Sequence, residues 1–125
     1  YDLESWVYTY PEQLTENLND CHRNNSYKIK PMVKVVKYWN REKNKKRTPS
    51  FQIEETMITY FNIYSFSNYE EGIRSWFNNA EYYLDKSKFK TSNKYDDSIS
   101  KIKKVKEKLN EAKAHIDKKL ERDFW

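Results

Sequence analysis

The sequence predicts an all-α fold: a bundle of about five helices with a long C-terminal helix and a short extended segment at the N-terminus. Three observations carry this. Apolar residues recur at three- and four-residue spacing in five separate stretches. Glycine occurs once and proline three times in 125 residues, and each proline falls beside a predicted helix start. Strict apolar alternation is confined to Trp6, Tyr8 and Tyr10 near the N-terminus.

Residues 1–10 read as an extended linker or edge strand with an aromatic side. Pro11 suits the first position of a helix and Glu12 its first turn, where the dipole favours an acid. Leu14, Leu18 and Cys21 share one face of that helix through about Asn25, and Asn24-Asn25-Ser26 reads as the turn. His22 beside Cys21 lacks further ligands, because His115 is the only other histidine; the pair predicts a half-buried Cys and a surface His, and no metal site.

The second helix spans about Lys28–Lys43. Ile29, Met32, Val33, Val36 and Trp39 form its apolar stripe, and Lys34, Lys37 and Arg41 line an adjacent basic edge. The loop that follows carries Arg41, Lys43, Lys45, Lys46 and Arg47 against Glu42 alone. Two readings stand for it: a solvated, mobile turn, or a patch that meets nucleotide phosphates or nucleic acid. No aromatic residue interrupts the loop, so stacking on single strands gains no support there.

Ser50 opens the third helix, which runs to about Tyr64. Its hydroxyl is expected to cap that helix, and the free N–H groups at the helix start favour an anion. A lysine edge aimed at such an end is a phosphate cradle, or else a solvated edge beside an ordinary cap. Ile53, Met57, Tyr60, Phe61 and Tyr64 read as core, and Glu54 as a structural acceptor. Ser67-Asn68-Tyr69-Glu70 reads as a capping box for a fourth helix carrying Ile73, Trp76, Phe77, Ala80 and Leu84. The polar stretch Lys86–Tyr95 reads as a flexible loop. The last helix, about Asp96–Trp125, repeats Ile102, Val105, Leu109, Ala112 and Ile116 in a coiled-coil-like stripe expected to dock along the other helices.

Composition bounds the function. One cysteine excludes an internal disulfide and suits a reducing, cytoplasmic setting. No apolar run is long enough for a membrane span or signal peptide. Aromatic content of 17% supplies core bulk against disorder. The net charge of +5 suits polyanionic partners. A start at Tyr1 rather than Met predicts a piece of a longer chain.

Lys37-Tyr38-Trp39-Asn40 followed by Ser50-Phe51-Gln52-Ile53-Glu54 resembles the "K-Y-W-N … S-[FY]-x-[LIV]-E" region of OAS/cGAS-like nucleotidyltransferases. The bacterial CD-NTase (SMODS-type) branch of that group makes cyclic-oligonucleotide signals in antiphage defence. Trp6-Val7-Tyr8-Thr9-Tyr10-Pro11-Glu12 resembles the entry to the same C-terminal helical domain, and the resemblance runs from about Trp6 to Phe66. It implies that Lys37 and Ser50 hold the β- and γ-phosphates of a nucleoside triphosphate, with Lys34 on the same edge. It implies that Phe51 stacks on the base, where the common tyrosine would add a hydroxyl. The family's Gly-Ser and Asp-x-Asp motif is absent, because Gly72-Ile73 holds the only glycine. The resemblance therefore places the catalytic domain, and the carboxylates that bind two magnesium ions, outside this chain. It makes residues 1–10 the linker from that domain and 11–125 the nucleotide-gripping domain, inactive alone. Implied partners are nucleoside triphosphates, the catalytic domain of the parent chain, and a nucleic acid or protein activator; no membrane is implied.

Two other functions fit the residues. One is a non-enzymatic module binding nucleic acid through residues 41–47 and the Lys-rich last helix. The other is an interaction bundle that oligomerises through the terminal stripe.

Overall fold

The computed structural model describes residues 11–124. Its order is α1 (Pro11–Asn24), α2 (Ile29–Glu42), α3 (Ser50–Phe61), α4 (Tyr69–Tyr83), a 3-10 turn (Lys86–Lys88) and α5 (Ser92–Phe124). No strand occurs among the described residues. The expected N-terminal linker lies outside them, as do the side chains of Leu120, Phe124 and Trp125. Among the described residues no helix is long and apolar enough to cross a membrane.

The apolar stripes meet in one core. Ile29, Met32, Val33 and Val36 of α2 pack with Ile53, Met57 and Phe61 of α3, and with Trp76, Phe77 and Ala80 of α4. Cys21 joins from α1 and Ile102 from α5. Burying such side chains is worth about 1.5–3 kcal/mol each before chain entropy is counted. Trp39 meets Phe77 edge-on, with ring centroids 5.2 Å apart.

Gly72 marks the crossing of α4 on α2. A Cβ there would lie 2.5 Å from Met32 Sδ and 3.0 Å from Phe66 Cδ2. In an open helix Gly→Ala gains about 1 kcal/mol. Here the crowding atoms belong to Met32, which is fully buried, so overpacking of about 1–3 kcal/mol is expected to outweigh that gain. Gly72→Ala is expected to lower the urea midpoint, and to do so less in a Met32→Ala background. A higher midpoint for the single variant would refute the crowding.

Several local expectations are corrected. The fourth-helix cap slides by one residue. Asn68 is the N-cap and accepts from Glu71 N at 2.9 Å, while Glu71 Oε2 accepts from Ser67 N at 3.3 Å. The i,i+3 spacing of a capping box fits Asn68–Glu71 as well as Ser67–Glu70, and only the chain's approach to the helix selects between them. Glu70 is instead the partner of Arg74, at 3.0 Å.

Tyr64 lies past the end of α3 and is 50% exposed, not core. Lys86–Tyr95 is ordered rather than a flexible loop. Phe89 is buried there and packs edge-on against Tyr95, and α5 already starts at Ser92. The terminal stripe docks only in its first half: Ile102 is buried and Val105 and Leu109 are packed against the core, but Ile116 is 56% exposed. At 33 residues, α5 extends about 50 Å, longer than the helices it could lie on.

His22 is half-buried rather than on the surface. Its Nδ1 accepts from the backbone N of Lys30 at 3.2 Å, so α1 caps α2, whose own N-cap Lys28 offers no side-chain bond. Burial, and secondarily the Lys30 ammonium, push the imidazole pKa down, which favours the neutral ring this bond needs. Cys21 is fully buried, and that burial pushes its thiol pKa up, against a weaker opposing bond from Asn25. Such a thiol is a packing residue, not a nucleophile.

Candidate functional site: a basic groove at the start of α3

The α2–α3 loop is built by a buried polar network. Asn40 Nδ2 donates to Thr48 O at 2.8 Å, and Asn40 Oδ1 accepts from Thr48 N at 3.2 Å. Asn44 Nδ2 donates to Asn40 Oδ1 at 2.9 Å, to Thr48 Oγ1 at 3.0 Å and to Ser98 Oγ of α5 at 3.2 Å. All four residues are buried. The network anchors the loop through Asn44, while Arg41, Glu42, Lys43, Lys45 and Lys46 remain exposed.

Between these anchors Lys45 and Lys46 take positive φ, 53° and 58°. Non-glycine residues adopt that region at a cost, and they persist there only where surroundings over-determine them. The bonds from Lys46 N to Asn40 O (2.7 Å) and Arg47 N to Asn44 O (3.1 Å) do so here. Burying the amides turns the lysines outward.

They line a groove of about 330 Å³ with Arg47, Pro49, Phe51, Lys88, Lys90 and Lys94. One wall is the α2–α3 loop. The other is the 3-10 turn and the start of α5. Phe51, half-buried in the first turn of α3, is also part of the lining. Six cations and no carboxylate line the groove.

Two of the six have acidic neighbours behind them: Arg47 pairs with Asp97 at 3.8 Å, and Lys88 with Asp85 at 3.8 Å and Glu55 at 3.9 Å. Asp85 also caps the 3-10 turn, accepting from Ser87 Oγ at 2.7 Å and Ser87 N at 3.0 Å. The Ser87 hydroxyl, then its backbone N–H and Lys88, hold the Asp85 carboxyl below the usual carboxylate range, against a smaller opposing effect of burial. Lys45, Lys46, Lys90 and Lys94 form no ion pair among the described residues.

The residues singled out from the sequence divide between two places. Phe51, Lys45, Lys46 and Arg47 come together in the groove. Lys37 does not line it; its Nζ reaches Glu54 Oε1 of α3 at 2.5 Å. Ser50 stands one helical turn before Glu54, on the same side of α3. Lys34 is exposed on α2, Arg41 lies over the Tyr38 ring at 5.3 Å and pairs with Glu42 at 2.9 Å, and Lys43 is exposed.

One detail is corrected. Ser50 opens α3 as its first helical residue, but the N-cap is Pro49, in extended conformation, and no side chain caps the end. A proline's fixed φ fits the non-helical cap position, which leaves the Ser50 hydroxyl exposed.

Sequence reasoning missed Lys88, Lys90 and Lys94. They sat in a stretch that looked like a flexible linker, and the buried Phe89 was the signal that the chain packs down there. Among the described residues no group of three His, Cys, Asp or Glu could hold a metal ion.

Over 71 residues, 55% of this chain, the sequence is 37% identical to a cyclic AMP-AMP-AMP synthase of Acinetobacter sp. (strain ATCC 27244 / 9458). The chain spans 20% of that relative's length. No protein-family model matches the chain. No solved structure matches it. Over part of its length, then, this chain is related to a cyclic-oligonucleotide synthase.

Proposed function

We propose that this chain is the nucleotide-holding helical part of a CD-NTase, a nucleotidyltransferase that makes cyclic-oligonucleotide signals in antiphage defence. The similarity to the cyclic AMP-AMP-AMP synthase is the observation that carries the reading. The arrangement around the start of α3 supports it.

Lys37 and Ser50 grip the triphosphate. An ammonium has three donors, and Glu54 uses one, which holds Lys37 toward α3 while leaving two for phosphate oxygens. The exposed Ser50 hydroxyl and the uncapped helix end add donors and a positive dipole end on the same side. Phe51 stacks on the base, and Lys34 adds positive charge along the edge. Phosphoryl transfer asks for positioning and charge neutralisation, and these residues supply both. Magnesium would be held by carboxylates outside the described residues. The setting is the cytoplasm.

Lys37→Ala in the full-length protein is expected to weaken nucleoside triphosphate binding about 10- to 100-fold, the worth of one or two charge-assisted hydrogen bonds. Calorimetric titration with a non-hydrolysable triphosphate checks this. Unchanged affinity would remove Lys37 from the site.

A further inference from the structure

We propose that Asn40 is a positioning residue for the triphosphate grip: its side chain fixes the start of α3, with Ser50 and the uncapped backbone N–H groups, against Lys37 of α2. The inference rests on the reading of Lys37 and Ser50 given above and adds a residue that itself touches no nucleotide.

Two rungs join α2 to the beginning of α3. The first is the ion pair of Lys37 with Glu54, at 2.5 Å. The second is Asn40, one turn after Lys37 on α2. Its amide holds a single residue by both backbone groups: Nδ2 donates to Thr48 O at 2.8 Å, and Oδ1 accepts from Thr48 N at 3.2 Å. One bond would set a distance. Two bonds from a planar amide to the same residue also set its orientation. Asn40 is 3% exposed, so water does not compete for either bond.

Thr48 passes that orientation on. Pro49 follows it, is the N-cap of α3, and stands at φ −60° and ψ 135°. The proline ring locks its own φ and restricts the backbone of the residue before it. Few soft torsions therefore separate the clamped Thr48 from Ser50, and no side chain caps α3 to hold its end by another route. The shared core already joins α2 to α3, but burial is non-directional. The clamp sets where the first turn of α3 stands relative to Lys37. A phosphate chain held from both elements needs that register, because charge-assisted hydrogen bonds weaken steeply when their donors are misaimed.

The test uses the full-length protein and calorimetric titration with a non-hydrolysable ATP analogue. Asn40→Ala is expected to weaken binding about tenfold, the worth of one charge-assisted hydrogen bond. Lys37→Ala supplies the readout that a merely structural role would not move. Residues that act on a ligand through one another are non-additive, so the Lys37→Ala loss is expected to shrink to about threefold in the Asn40→Ala background. Trp76→Phe, a destabilising change in the core between α3 and α4, controls for stability and is expected to keep the parent affinity. A further measurement needs no variant. A nucleotide that bridges the two elements holds the clamp shut, so exchange of the Thr48 amide hydrogen is expected to slow about tenfold or more at saturating analogue. That measurement decides the matter should Asn40→Ala fail to fold.

Unchanged affinity in Asn40→Ala overturns the positioning role. So does a loss that adds undiminished to that of Lys37→Ala, an equal loss in Trp76→Phe, or a Thr48 amide whose exchange ignores the analogue. In each of these the Lys37→Ala loss still stands, and the proposed function with it. No loss from Lys37→Ala by itself removes the grip, and the role of Asn40 falls with it.

Discussion

Replacing Trp76 with alanine is expected to destabilise the bundle by about 3–5 kcal/mol, a large share of the roughly 5–15 kcal/mol that holds a domain folded. The indole is 1% exposed and meets Phe77 edge-on at 5.0 Å, between α3 and α4. Its Nε1 donates to Thr56 Oγ1 at 2.9 Å, and Thr56 is itself buried. Alanine thus opens a cavity and removes a donor from a buried hydroxyl. Trp76→Phe separates the two effects, since most of the ring volume stays and the hydrogen bond goes; about 1–2 kcal/mol is expected for it. Chemical denaturation with both variants checks this. A loss under 1 kcal/mol for the alanine variant would mean that the core around α4 is not packed as described.

Asn44→Ala is expected to cost about 1–3 kcal/mol and to loosen the groove. Its amide joins the end of α2, the basic loop and Ser98 of α5. Without it Asn40 and Thr48 keep their mutual bonds and Thr48 Oγ1 keeps Ser98 at 3.0 Å, so the loop weakens rather than collapses. The loss should come as a lower denaturant midpoint at constant slope, with faster amide exchange at residues 45–48. The same loop carries Lys45 and Lys46 at positive φ, held by backbone bonds to Asn40 O and Asn44 O that the side-chain network braces. If the loop were a solvated turn, the same substitution would change stability by no more than about 0.5 kcal/mol.

The two variants probe different kinds of information. Trp76 lies on a stripe whose period is visible in the sequence, and its burial follows from the pattern of Ile73, Phe77 and Ala80 around it. Asn44 carries no such signal. An asparagine among lysines reads as turn chemistry whether it faces water or is buried to the last atom. The same blindness hid His22, whose cap on α2 depends on how two helices meet. It also hid the one-residue slide of the α4 cap, where two overlapping motifs compete.

By itself the sequence determined the all-α class, the number of helices, the opening of α3 at Ser50, and the core faces of α2, α3 and α4. These follow from side-chain periodicity and chain-stiffness rules that act within a few residues. It also brought Lys37, Ser50 and Phe51 into view as a group. Only the tertiary structure decided which residues line one groove. It set Lys37 against Glu54, and it carried Lys88, Lys90 and Lys94 across to Phe51 and the 45–47 loop. The reason is physical. Helix periods are paid out locally, whereas a groove exists only when segments about 45 residues apart are docked by burial of Phe89 and by the contact of Asn44 and Thr48 with Ser98.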